Sequence, residues 1–233
     1  MKKTFSLKKV AILAIMLTMP ALLYYLLQEK GKNRYRPLGI FGPKTVTSTF
    51  HIKRGKQIPD TIYHIVRDFK LINQDNRLVS FPSDSNKLTV VVFFYTRCPL
   101  VCSGINKKMA EVVRIYQKNK LLQFLSITVD PHFDTSEELK KYSKEYQVQP
   151  NKWNFLTGDE AVIYKLAKED FLVDVLKDTT QNNNIIHRSM LILLDPQKRI
   201  RGYYNSIDKE QVDRLIDEIR VLIAEELRNV KDR

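Results

Sequence analysis

The apolar run Val90-Val91-Val92-Phe93-Phe94-Tyr95 has the length of a buried strand. It opens into Thr96-Arg97-Cys98-Pro99-Leu100-Val101-Cys102, the stretch that holds the chain's only two cysteines. Beyond it, Val101, Ile105, Met109, Val112 and Tyr116 recur every three or four positions, as one face of a helix would. The two thiols therefore belong to a strand-to-helix junction. On a helical first turn, positions i and i+4 share a face with Cβ atoms roughly 5–6 Å apart. That spacing lets both sulfurs converge on one ion, or close on each other as a disulfide, whose Cα–Cα distance is about 4.4–6.8 Å. A helix N-terminus also favours the thiolate through its free N–H groups and dipole. Either way, the stretch is built for thiolate chemistry.

Two cysteines do not make a disulfide scaffold. Closing a loop of about five residues stabilises a fold by only on the order of 2 kcal/mol, so reversible redox or metal chemistry is the better use of the pair. Charge narrows the classes further. The formal net charge of +13 sits mostly at the N-terminal end, in Lys2, Lys3, Lys8 and Lys9 and then in eight basic side chains within residues 28–56 against Glu29 alone. Residues 57–233 hold 27 basic and 25 acidic groups. A domain so nearly neutral carries no phosphate-binding stripe, and no nucleic-acid partner is expected. The basicity reads as a membrane signature.

Val10–Leu27 is eighteen residues without a charge. As a helix it would span about 27 Å at 1.5 Å per residue, close to a hydrocarbon core of roughly 30 Å. Tyr24 and Tyr25 fall where an interfacial aromatic belt is expected. No small-x-small cleavage site follows, so the expectation is an uncleaved single transmembrane helix. The expected organisation is an anchor over 1–27, a basic tether over 28–58 and one globular domain over 59–233, enough chain for one core.

Within that domain, Phe69–Asn73 and Arg77–Phe81 around Asp75-Asn76 predict a hairpin. Leu88–Tyr95 and Leu122–Val129 predict buried strands, with a helix over 100–119 between them. Helices are expected near 135–146 and 159–169, flanking Trp153-Asn154-Phe155-Leu156, with Trp153 in the core. Phe171–Leu176 reads as a short strand and Asp178–Asn184 as a loop. Arg188–Leu194 and Arg199–Tyr204 predict a second hairpin, and Asp208 caps a closing amphipathic helix. Strands alternating with helices give an α/β fold with a central mixed sheet flanked by helices.

Four motifs in order then carry a family resemblance. They are Phe69-Lys70-Leu71-Ile72-Asn73-Gln74-Asp75, Phe93 through Cys102, Ser126-Ile127-Thr128-Val129-Asp130-Pro131 with Asp134-Thr135, and His187-Arg188-Ser189 leading into Leu191–Pro196. Over roughly residues 60–225 the chain resembles the Sco/SenC family, membrane-anchored thioredoxin-like proteins of cytochrome c oxidase assembly. The resemblance implies a thioredoxin-like fold. It implies that Cys98, Cys102 and His187 correspond to the family's copper ligands. It also implies a domain outside the bacterial inner membrane, in the periplasm, with oxidase subunit II or another copper-accepting protein as partner. One departure is Ser103, where the family usually has proline after the second cysteine.

Two thiolates and an imidazole suit copper, as Cu(I) or Cu(II). A structural zinc site would need a fourth ligand, for which only Asp130 or His132 is at hand. Asp130, at a strand end, can hold the site's geometry or charge; His132, His51 and His64 read as solvent-facing. The expectation is a copper metallochaperone. The alternative is a thiol–disulfide reductase acting through the same pair, although such enzymes more often carry C-x-x-C. A peroxidase is disfavoured because no Thr-x-x-Cys precedes either thiol. A tethered binding module is what remains if the pair is inert.

Overall fold

The computed structural model describes residues 7–30, 37–53, 55–83, 86–98, 102–147, 152–178, 184–187 and 189–231. The chain divides into two compact units, residues 1–37 and 38–233. The first holds α1 (Leu7–Lys30), a helix whose apolar side chains occupy every face. Those from Ile12 to Tyr25 are all exposed. Among the described residues no helix is long and apolar enough to cross a membrane. Within α1 the described side chains are Lys8, Lys9 and 12–25.

The second unit starts with β1 (Lys44–Lys53) and β2 (Lys56–Tyr63), an antiparallel hairpin that forms a sheet of its own. This corrects the reading of residues up to 58 as tether. Phe50-His51-Ile52-Lys53 alternates as a strand does, and Gly55, at φ +76°, supplies the left-handed turn residue. His64 closes the base of the hairpin, its N–H donating to Pro43 O at 3.0 Å.

The main sheet has seven strands in the order β11-β10-β5-β6-β7-β3-β4. In chain order they are β3 (Phe69–Asn73), β4 (Leu78–Phe81), β5 (Leu88–Phe94), β6 (Leu122–Thr128), β7 (Trp153–Thr157), β10 (Met190–Leu194) and β11 (Ile200–Asn205). β5, β6 and β7 are mutually parallel, and the outer pairings are antiparallel, which makes the sheet mixed as expected. Every residue of β5 and β6 is buried. A parallel strand covered on both faces reads as a continuous apolar run, which is why Val90–Phe94 lacks alternation. β3, by contrast, alternates buried and exposed.

Crossover helices supply the cover. α2 (Cys102–Tyr116) buries Ile105, Met109, Val112 and Tyr116 against β5, β6 and β10. α3 (Ser136–Ser143) packs on β7 and β3 and is capped by Thr135, whose side chain accepts from Glu138 N. α4 (Glu160–Lys165) is capped by Asp159 accepting from Val162 N at 3.0 Å. The closing α5 (Lys209–Lys231) lies against β11, its first turn served by Asp208 through Glu210 N at 2.9 Å. Trp153 is fully buried, as expected.

Residues 171–176 are not one strand. A π-helical turn over Leu166–Asp170 follows α4, and Leu172 sits at φ +55°, a left-handed geometry no strand accommodates. The strand begins later, as β8 (Val175–Asp178), and pairs antiparallel with β9 (Asn184–His187) in a third small sheet. Most of the expected 178–184 loop lies outside the described residues. His64 also departs from expectation. It is half-buried, with Nε2 2.7 Å from the backbone oxygen of Asp170. The Asp170 carboxylate in turn receives Arg67 N at 3.0 Å and Arg67 Nη2 at 2.7 Å, so the approach to β3 is clamped to the end of the π turn.

Arg201 on β11 is 1% exposed and acts as a hub. It donates to Asp195 at 3.1 Å, Glu225 at 3.0 Å, Leu38 O at 2.8 Å and Gly39 O at 3.1 Å. The guanidinium thus ties the entering chain, the β10–β11 turn and α5 together. Removing one partner of a buried charge cluster leaves the others unpaired, at a cost of about 3–5 kcal/mol. Arg201→Met should therefore lower the urea midpoint by that much stability at unchanged m. A loss below about 1 kcal/mol, the size of an exposed pair, would show that the cluster is solvated in solution.

Candidate functional site

β5 and β10 run antiparallel, with Leu191 opposite Val92 and Leu194 opposite Thr89. β5 therefore leaves the sheet at the end where β10 enters it. Cys98 follows Phe94 by four residues, and His187, the last residue of β9, precedes Met190 by three. Both are carried to the same end of the sheet by topology, however far apart they lie in the chain. His187 is paired across β8–β9 with Val175, whose side chain packs on the core.

Cys98 is half-buried and packs against the core cluster. It lies between β5 and α2, whose first residue is Cys102. Pro99, Leu100 and Val101 lie outside the described residues, as do the side chains of Cys102, Ser103 and His187. Among the described residues no group of three or more His, Cys, Asp or Glu side chains comes together.

The chain on either side of the cysteines is held by a set of hydrogen bonds and one ion pair. Asp134 is fully buried. Its carboxylate accepts from Thr96 N at 3.1 Å and from the hydroxyls of Thr96 and Thr128. Thr128 Oγ1 accepts in turn from Asp130 N at 3.0 Å. Beside this, Arg97 Nη2 meets Asp130 Oδ2 at 2.7 Å and its guanidinium lies 4.0 Å from the centre of the Phe133 ring. Asp130 is thus ion-paired with the residue before Cys98. On the helix side, Asn106 accepts from Ser126 Oγ at 2.8 Å, and that hydroxyl accepts from Trp153 Nε1 at 2.9 Å. The chain is therefore pinned at Thr96 and at Asn106, with both cysteines between. Asp134 was legible only as part of a motif; nothing in its local pattern marks it as buried. His132 is solvent-facing, as read, with its ring 3.3 Å from Glu160.

Burial pushes the Asp134 carboxyl above the ordinary range, against the hydrogen bonds from Thr128 and Thr96 that pull it down. A carboxyl with a raised folded-state pKa contributes stability below its unfolded value and loses it as pH rises through the folded one. Asp134→Asn cannot titrate and cannot accept all three donors, so it should be less stable by about 1–3 kcal/mol. Its deficit should be largest in acid and narrow toward neutral pH, read from urea midpoints across that range. A deficit that widens with pH would show that the three donors outweigh burial.

The SCO1/SenC family model matches residues 59–224. The SCO1 protein homolog of Bacillus subtilis (strain 168) is 27% identical over 168 residues, 71% of this chain and 86% of that protein. Among solved structures, a SCO1/SenC family lipoprotein from Bacillus anthracis str. Ames is 28% identical with a TM-score of 0.63, covering 69% of this chain and 95% of that one. BsSco, described as having a disulfide switch and as a member of the Sco family of cytochrome c oxidase assembly proteins, gives 26% identity and a TM-score of 0.59 over 67% and 92%. Bradyrhizobium japonicum ScoI, solved with copper bound, gives 28% and 0.54 over 65% and 97%. The mixed sheet and its crossover helices are thus those of a thioredoxin-like fold of this kind, and the chain belongs to the SCO1/SenC family.

Proposed function

We propose that this protein is a copper metallochaperone acting in cytochrome c oxidase assembly, with copper as its cargo. Cys98, Cys102 and His187 are the donors. The observation that supports the reading is topological: β5, which leads to Cys98, leaves the sheet at the end where β10, preceded by the strand bearing His187, enters it. Copper bound to the related ScoI supports the cargo. Two soft sulfurs hold Cu(I) at low coordination, and the imidazole extends the set for Cu(II). A site of two or three donors leaves room for an incoming thiolate, so copper passes by ligand exchange with no change of valence. The acceptor is oxidase subunit II or another copper-accepting protein.

A second reading is favoured by the disulfide switch described for BsSco. Here the Cys98 and Cys102 thiolates reduce a partner's disulfide, become a disulfide themselves and leave the partner with two thiols. His187→Ala separates the two. Under the chaperone reading Cu(II) affinity falls at least about tenfold, or 1.4 kcal/mol, while the thiol potential moves little. Unchanged copper affinity with a strongly shifted potential would leave the reductase.

We further propose that α1 anchors the chain in the bacterial inner membrane as a single pass, with the domain in the periplasm. The uncharged run Val10–Leu27 and the exposed apolar side chains from Ile12 to Tyr25 support this. A reporter that works only in the periplasm should be active when fused after Arg233. Activity from a cytoplasm-dependent reporter alone would reverse the orientation.

A further inference from the structure

The hairpin β1–β2 stands apart from the main sheet, pairing only with itself. A two-stranded ribbon on its own is marginal in water, and this one is apolar where nothing covers it. Phe50 and Ile52 alternate onto one face, opposite Pro59 and Gln57, and are 60% and 76% exposed. Val46 and Ile62 are exposed as well. Alternation of this kind belongs to a strand with a buried face, yet the domain leaves the face open. Its charge is one-sided: Lys44, Lys53, Arg54 and Lys56 stand against Asp60 alone. Only thirteen residues separate it from α1, a reach of at most about 45 Å when extended.

We propose that the β1–β2 hairpin docks on an anionic lipid surface, resting the Phe50 and Ile52 face in the headgroup boundary while its basic residues meet lipid phosphates. The proposal rests on the anchoring of α1 proposed above, which holds the hairpin within reach of a bilayer. Interfacial segments combine these two features, an apolar face set about 5–10 Å into the headgroup and acyl boundary and a Lys/Arg rim. The attraction of such residues to anionic lipid fades within a Debye length, so the short tether is what makes it effective. A second copy of the chain could cover the same face by edge pairing, but two hairpins of like charge repel.

The full chain carrying Phe50→Trp tests this in phosphatidylcholine vesicles, with and without phosphatidylglycerol, whose acyl chains are brominated as quenchers. The native Trp153 is fully buried, so the unsubstituted chain supplies the background and the added emission reports the hairpin. Most of that emission should be quenched when phosphatidylglycerol is present. The quenching should be lost when Lys53→Glu and Lys56→Glu are added. Ile52→Trp, on the same face, should behave identically. Equal quenching in neutral vesicles, or quenching indifferent to the charge reversal, overturns the anionic surface. An unquenched indole on a chain that co-floats with the vesicles overturns the docking and leaves the anchor standing. A chain that does not co-float removes both. Concentration-dependent dimers with an unquenched indole assign the face to a second copy and likewise overturn the proposal.

Discussion

A parallel strand pair cannot be closed by a short turn, and β5 and β6 run in register from Leu88 opposite Leu122 to Phe94 opposite Thr128. Their connection must climb over one face of the sheet, and α2 is that connection. Because every residue of both strands is buried, each large side chain contributes about 1.5–3 kcal/mol of burial, and both faces must stay covered. The position of the thiols follows from this. The chain has to turn from β5 into α2 at the edge of the core, and the turn is where Cys98 and Cys102 stand. Chemistry at this junction is a by-product of protecting the central pair.

The junction is held by polar groups placed where apolar ones would pack as well. Buried Asp134 and Thr128 form one cluster with half-buried Thr96; buried Asn106, Ser126 and Trp153 form another. Satisfied networks of this sort fix geometry in a way apolar contacts cannot, because a hydrogen bond is directional.

Much of the architecture was legible in the sequence because it rests on period and burial. The apolar runs of β5 and β6, the spacing from Ile105 to Tyr116 and the Asp208 cap all announce themselves locally. The cysteines were legible for the same reason. What was not legible depends on partners distant in the chain. His64 and Asp170 meet across more than a hundred residues, and the left-handed backbone at Leu172 is set by the π turn beneath it. Cys98 was read at a strand-to-helix junction, and it lies between β5 and α2. β1 and β2 were passed over because their basic residues drew the reading toward a tether, although the alternation at Phe50-His51-Ile52-Lys53 was there to be seen.

The Arg201 hub has a mechanical consequence. Tension arriving along the chain from its N-terminal side enters at Leu38 and Gly39, whose carbonyls share one guanidinium, and at Phe41, whose N–H is held by Ile200 O at 2.8 Å. From there it is passed to Asp195 in the β10–β11 turn and to Glu225 on α5. That turn is the end of β10 opposite the thiols, about 17 Å away along five residues at roughly 3.4 Å each. A tug on the tether is therefore borne by the ion-paired turn and the closing helix, and the loop between Thr96 and Asn106 is left unloaded.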